Sequence, residues 1–313
     1  MTRAFVFPGQ GSQVVGMGRE LAAAFVSARQ AFEEVDDALE QNLSRLMFEG
    51  PEDELTLTEN AQPALMAVSL AIVRTLEREG GFDLAHGAAF VAGHSLGEYS
   101  ALAAAGTFAL ADAARLLKTR GLAMQNAVPV GKGAMAALLG LDLPAARAAA
   151  AEAAQGEVCD AANDNAPGQV VVSGHKTAVE RAVVIAKTKG AKRALLLPVS
   201  APFHCALMAP AAEVMLKALA EVHMHAPVVP VVANITARPV SEIGEIRRRL
   251  GEQVTGLVRW RESVEFLRDQ GVDRIVELGA GKVLAGLCKR VAPGIDATSV
   301  GIPADVETIL KTL

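Results

Sequence analysis

The residues with the clearest capacity for chemistry are Gly93-His94-Ser95-Leu96-Gly97. They fit the G-x-S-x-G pattern, in which glycines on both sides of a serine let a strand turn abruptly into a helix and hold the hydroxyl above a sheet. A helix that starts at such a turn aims its free N–H groups back at the serine. The Leu96 amide is thereby placed to donate to an oxyanion, and the helix dipole favours negative charge there. This geometry serves acyl transfer, although the same five residues also suit a plain strand-to-helix turn.

A serine nucleophile needs a base within hydrogen-bond reach, and histidine is best matched to that task near neutral pH. The chain has six histidines. His94 adjoins the serine and is expected to point away on a tight turn. His86 and His175 fall in polar loops, and His223 and His225 fall near a helix end, where satisfied surface roles are the ordinary reading. His204 stands apart. It lies in Ser200-Ala201-Pro202-Phe203-His204-Cys205, a proline-held turn at the point where two parts of the chain meet, and clefts form at such junctions.

The elements that must position these groups follow from the apolar pattern. An apolar run over 3–7 reads as a strand and is followed by Pro8-Gly9-Gln10-Gly11-Ser12-Gln13, a loop. Helical spacing runs over 18–40 and again over 62–78, a strand is predicted at 88–92, and helices at 98–105 and 110–125. Between 133 and 199 the order becomes β-α-β-β-α-β, with strands at 158–162 and 169–173 flanking a loop at 161–168. This is the split pattern of a ferredoxin-like module. Beyond Pro202 come a helix at 205–222, a strand at 228–233, helices at 241–254 and 261–270, a strand at 274–278 and a helix at 282–290. The expected architecture is a large, mainly parallel, α/β hydrolase-like domain (1–127 and 200–313) carrying an inserted ferredoxin-like subdomain (128–199).

Composition narrows the function classes. With 313 residues, 51% of them hydrophobic and 21% charged, the chain can bury a large core and is not a disordered one. No apolar run approaches a membrane span, and the first residues lack the features of a signal peptide, so a cytoplasmic location is expected. Cys159, Cys205 and Cys288 lack metal-ligand spacing and predict reduced thiols. A net charge of -5 with one Trp and one Tyr offers no footprint for nucleic acid. A monomer is expected, with no membrane partner.

Phe7-Pro8-Gly9-Gln10-Gly11-Ser12-Gln13, Gly93-His94-Ser95-Leu96-Gly97-Glu98 and Ala201-Pro202-Phe203-His204 occur in one chain and in this order. In these motifs the sequence resembles the malonyl-CoA:acyl carrier protein transacylase family and the acyltransferase domains of fatty acid and polyketide synthases. The resemblance extends to Ile275-Val276-Glu277-Leu278-Gly279. It implies Ser95 as nucleophile, His204 as general base and acid, and the backbone amides of Gln10 and Leu96 as oxyanion donors. It further implies Arg120 as the cation that grips the substrate's free carboxylate, Asn163 near the substrate, and Gln253 as the residue whose backbone carbonyl orients the histidine. Malonyl-CoA and acyl carrier protein are the implied partners, with coenzyme A thioester as substrate and no metal or redox cofactor. Gly279-Ala280-Gly281 departs from the family's usual Gly-Pro-Gly, and Phe203 fits malonyl-type better than methylmalonyl-type members.

Other readings stay open at this point. A serine esterase shares the elbow, but its histidine falls late in the chain, whereas more than 100 residues follow His204 here. A trans-acting acyltransferase of polyketide synthesis fits the same motifs. A non-catalytic carrier-binding module would use Lys187, Lys189, Lys192 and Arg193 as a basic landing site.

Overall fold

A computed structural model describes residues 2–313. Two sheets organise it. The first has the order β10-β9-β1-β2-β7-β8 and is built from β1 (Arg3–Phe7), β2 (Phe90–Gly93), β7 (Val231–Ala233), β8 (Arg238–Val240), β9 (Arg274–Leu278) and β10 (Asp296–Val300). All pairings are parallel except β7 with β8. The second is antiparallel, in the order β4-β5-β3-β6, from β3 (Gly133–Leu139), β4 (Cys159–Ala166), β5 (Gln169–His175) and β6 (Arg193–Leu196).

Strand β1 shows why the first sheet is covered on both faces. Its period of two sends Phe5 and Phe7 into one core and Ala4 and Val6 into another. The Phe5 and Phe7 side packs against helices Val26–Leu39, Thr58–Arg78, Leu110–Ala127 and Ala209–Glu221. The opposite side packs against Trp260–Asp269 and Val283–Val291. Thr58–Arg78 is buried almost all round, as a helix enclosed by other helices must be. The second sheet carries helices Leu143–Ala154 and Lys176–Thr188 on one face and encloses a third, alanine-rich core of its own. The β-α-β-β-α-β order is therefore the one read from the sequence.

Strand β4 ties the second sheet to the segment that precedes helix Trp260–Asp269. Asn163 forms a parallel bridge with Val258, with Asp164 N–H donating to Val258 O and Val258 N–H to Ala162 O, both at 2.9 Å. The Asp164 carboxylate, buried, receives Arg261 of helix Trp260–Asp269 at 2.8 Å.

Several expectations differ in detail. The helix read over 18–40 is two, Arg19–Ala24 and Val26–Leu39, separated by Phe25 in extended backbone (φ -127°, ψ 127°). Periodicity hides this break because Leu21, Ala28 and Ala31 face the same core on both sides of it. Strand β8 escapes notice because it contains Pro239, which argues against a strand everywhere except at an edge, and β8 is an edge. Strand β10 and helix Pro303–Leu310 were also unforeseen. Asn163 lies in strand β4, not in a loop. Two register shifts, at Ala161/Asn163 and Asp164/Ala166, blur its alternation.

Candidate active site

Both glycines of the elbow are dictated by space. A Cβ on Gly93 would stand 1.9 Å from the Gly97 backbone, and one on Gly97 would stand 2.2 Å from Phe7 O and 2.9 Å from Pro8 O. Between them Ser95 adopts φ 55° and ψ -111°, a conformation that costs a side-chain-bearing residue about 1–3 kcal/mol. Asn234, just beyond β7, braces the turn from outside. Its Oδ1 accepts from Ser95 N–H at 2.7 Å, and its Nδ2 donates to Gly93 O at 2.6 Å.

His204 also has positive φ, 58°, and is buried. Its Nδ1 lies 2.9 Å from the backbone O of Gln253, and its Nε2 lies 2.7 Å from Ser95 Oγ. A carbonyl can only accept, so in the neutral ring Nδ1 carries the proton and Nε2 offers its lone pair to the serine. Burial, and after it the charge of Arg120, pulls the imidazole down to about 3. The ring is therefore a neutral base at physiological pH.

Arg120 is 1% exposed, not the solvated helix-end cation that Lys118-Thr119-Arg120-Gly121 taken alone suggests. Gly121 makes this burial possible: a Cβ there would meet Glu59 Cα at 2.5 Å, so helices Leu110–Ala127 and Thr58–Arg78 touch. Nη1 donates to Gln62 Oε1 at 2.7 Å, while Nη2 donates to Gln253 Oε1 at 2.8 Å and to Ser95 Oγ at 3.2 Å. The guanidinium lies 5.6 Å from the Tyr99 ring centre. No carboxylate within ion-pair distance neutralises it among the described residues. Burial lowers its affinity for a proton, and an anion delivered beside Ser95 would offset that cost.

Gln253 serves the site with every polar group it has there. Its backbone carbonyl orients His204, its Oε1 receives Arg120, and its Nε2 donates to Ser95 O at 3.0 Å and to Glu98 Oε2 at 2.7 Å. Glu98 Oε2 also accepts from Asn234 N–H at 3.1 Å. Burial pushes the Glu98 carboxyl up to about 7, against the opposing effect of those hydrogen bonds.

Leu96 opens its helix and so has no carbonyl four residues back for its N–H. The Gln10 loop rests on the elbow: a Cβ on Gly9 would stand 2.7 Å from His94 O. Neither the Gln10 nor the Leu96 N–H donates to another backbone group outside the helices and strands. Gly279 packs beneath this loop, where a Cβ would meet Pro8 Cγ at 2.6 Å. The Gly279-Ala280-Gly281 departure thus abuts the Gln10 loop more closely than the sequence suggests.

Of the residues read from the sequence, Ser95, His204, Arg120 and Gln253 meet directly, with Leu96 and Gln10 on adjoining backbone. Asn163 is buried in β4, and its side chain forms no hydrogen bond with Ser95, His204 or Arg120. Asn165, two positions on, instead pairs with His94 Nε2 at 2.8 Å, and the His94 ring lies 5.7 Å from Trp260. In the basic cluster, Lys189 is tied to Glu152 at 2.8 Å. Glu98, Asn234, Gln62 and Thr58 went unrecognised. Glu98 alone carries a local signal, a charge in the first turn of a helix that is otherwise apolar.

A mainly parallel sheet presenting a serine on an elbow, backed by a carbonyl-oriented imidazole, defines an α/β enzyme equipped for acyl transfer. Comparison with known proteins narrows the class: residues 4–290 match the acyl transferase domain family. The malonyl CoA-acyl carrier protein transacylase of Escherichia coli K12 is 47% identical over 308 residues, 98% of each chain. The solved acyl-carrier-protein-S-malonyltransferase of Bartonella henselae superposes with a TM-score of 0.97 at 55% identity, covering 100% of this chain and 99% of that one. A malonyl-transacylase solved in complex with its type II PKS acyl-carrier protein gives 0.96 at 45% identity, with 100% of each chain covered. This chain belongs to the acyl transferase domain family and, within it, to the malonyl CoA-acyl carrier protein transacylases.

Proposed function

We propose that the chain transfers a malonyl group from malonyl-CoA to the phosphopantetheine thiol of an acyl carrier protein, through an ester on Ser95. The observation that carries this reading is Arg120, a buried cation without a carboxylate partner whose Nη2 stands 3.2 Å from Ser95 Oγ. A guanidinium so placed grips a carboxylate in bidentate fashion and sets malonyl apart from acetyl.

Ser95 Oγ attacks the thioester carbon as its proton passes to His204 Nε2, and the carbonyl oxygen turns toward the N–H groups of Gln10 and Leu96. The C–S bond breaks, and the coenzyme A sulfur takes the proton from His204. The carrier's thiol then gives its proton to Nε2 and attacks the ester, the C–O bond breaks, and Ser95 Oγ regains its proton. This is a ping-pong exchange that needs no metal or redox cofactor. Arg120 fixes the acyl group during the interval and so helps keep the ester from water. Asn163 is assigned no chemical step.

The similarity to transacylases, one of them solved with its carrier, supports the carrier as acceptor. We take residues 128–199 as the inserted subdomain, closing over the elbow through β4. Among the described residues no helix is long and apolar enough to cross a membrane; action in the cytoplasm as a monomer is a further part of the proposal. The fatty acid and polyketide pathways share this chemistry. An esterase reading has less support, since it gives a buried arginine beside the nucleophile no purpose.

Intact-protein mass spectrometry after brief incubation with malonyl-CoA tests the proposal. A malonyl adduct absent from Ser95→Ala and discharged by added carrier is the expected result. A folded protein that acquires no adduct would overturn it.

A further inference from the structure

Arg120 begins a second line of hydrogen bonds that leads away from the serine. Its Nη1 donates to Gln62 Oε1 at 2.7 Å, Gln62 Nε2 donates to Thr58 Oγ1 at 2.9 Å, and Thr58 Oγ1 donates to Gln10 Oε1 at 2.9 Å. A guanidinium only donates, so Gln62 must present its oxygen to Arg120 and its amide N–H to Thr58, which leaves the Thr58 hydroxyl proton free to go to Gln10 Oε1. Thr58 and Gln62 are fully buried. Thr58 opens its helix, where its hydroxyl would ordinarily serve local backbone. Here it reaches across to the loop of residues 8–13.

Two points on a malonyl thioester are charged or become so: the carboxylate at one end and the carbonyl oxygen at the other. We propose that Thr58 is a positioning residue that fixes the separation between the cation for the first, Arg120, and an oxyanion donor for the second, Gln10 N–H. The inference rests on the transacylase reading above. The other donor is tied more directly, because Arg120 Nη2 bonds Gln253 Oε1 while Gln253 Nε2 bonds Ser95 O, the carbonyl of the peptide unit that carries Leu96 N–H. Arg120 is thus linked to the Leu96 peptide and, through Thr58, to the side chain of Gln10, and the pocket measures the length of a dicarboxylic monothioester. Malonyl has one carbon between its two functional ends and succinyl has two. With Thr58 removed, the Gln10 loop and Arg120 move independently, and the length restriction relaxes.

The test is the ratio of kcat/KM for malonyl-CoA to that for succinyl-CoA in Thr58→Val, which keeps the shape and deletes the hydroxyl. Loss of one buried hydrogen bond is expected to lower this ratio about tenfold, mainly through kcat for malonyl-CoA, and Thr58→Ser should restore it. Gln10→Met, which deletes the last acceptor on a partly exposed loop, should shift the ratio in the same direction without lowering the unfolding temperature. In an Arg120→Ala background Thr58→Val should change nothing further. Proportional losses on both substrates, or additive effects with Arg120→Ala, would show that Thr58 serves stability alone and overturn the inference. The Ser95 adduct separates the two levels: its absence from the wild-type protein overturns the transfer reading itself, whereas an adduct with an unmoved ratio overturns only the role of Thr58.

Discussion

Ser95 Oγ and His204 Nε2 lie 2.7 Å apart across 109 residues of chain, and both residues hold a left-handed backbone, φ 55° and 58°. Each hydroxyl or ring is presented by a turn that the chain would relax if it were free to do so. Elements remote from the turn hold Ser95: Gly93 and Gly97 by their lack of side chains, and Asn234 by its two hydrogen bonds.

Replacement of Ser95 therefore separates strain from chemistry. Both Ser95→Ala and Ser95→Gly should abolish acyl-enzyme formation, but the glycine variant should be about 1 kcal/mol more stable than the alanine variant. Urea unfolding of the two proteins checks this. Equal stabilities would mean that Ser95 is not strained.

Arg120→Ala should lower kcat/KM for malonyl-CoA by about 100-fold or more, the effect of removing a buried charge-assisted pair. Its activity on acetyl-CoA should rise relative to malonyl-CoA. Steady-state assays with both thioesters read the ratio directly, and equal losses would remove Arg120 from carboxylate recognition.

The pH dependence of catalysis follows from His204. With the free imidazole held at about 3, kcat/KM for malonyl-CoA should show no acid limb near 6.5, because that parameter reports the free enzyme. A bound carboxylate offsets the Arg120 charge, which contributes to the lowering, so the limb in kcat should lie above the limb in kcat/KM. Rate profiles from pH 5 to 8 would reveal a limb near 6.5 in kcat/KM if the ring were unperturbed.

Stability should carry two opposed slopes. His204 binds fewer protons folded than unfolded between about 3 and 6.5, so its contribution is present above 6.5 and lost as the pH falls. Glu98, raised from 4.5 to about 7, binds more protons folded, so its contribution is present below 4.5 and lost as the pH rises through 7. Glu98→Gln removes only the second slope. Its stability should fall more steeply between pH 7 and pH 5 than that of the wild type, as measured by denaturant unfolding at both values.

Arg261→Ala should cost about 3 kcal/mol at neutral pH, because it leaves the Asp164 carboxylate buried without its cation. Asp164→Asn in the same chain should recover most of that loss. The substitution should also slow acylation, since Asn165, the next residue of β4, holds His94 beside Ser95. Unfolding and adduct-formation rates taken together check both effects.

The glycines of the elbow and the proline turn before His204 were legible in the sequence because each is a local steric requirement. Periodicity likewise revealed the two-sheet plan, since strands buried on both faces read as apolar runs. What the sequence concealed is mostly held at long range. Asn234 lies 139 residues from Ser95 and follows a strand, where asparagine reads as an ordinary turn former. Gln62 and Thr58 sit on a helix whose polar residues resemble an exposed face until Gly121 brings the neighbouring helix against it. The resemblance supplied Arg120, Gln10 and Gln253, none of which local chemistry alone would have singled out.

The sheet order also governs how the protein is made. Strand β1 leaves the ribosome before the other strands of its sheet, yet one of its two neighbours, β9, begins only at Arg274, so the central strand waits with one edge open while the intervening chain is made. The helices between residues 19 and 127 can gather around Phe5 and Phe7 in the meantime, but the Ala4 and Val6 face stays uncovered until Trp260–Asp269 and Val283–Val291 emerge. Contacts between such distant segments form slowly. A nascent chain of this enzyme therefore keeps an apolar strand face uncovered until its ninth strand and the helices beside it are complete.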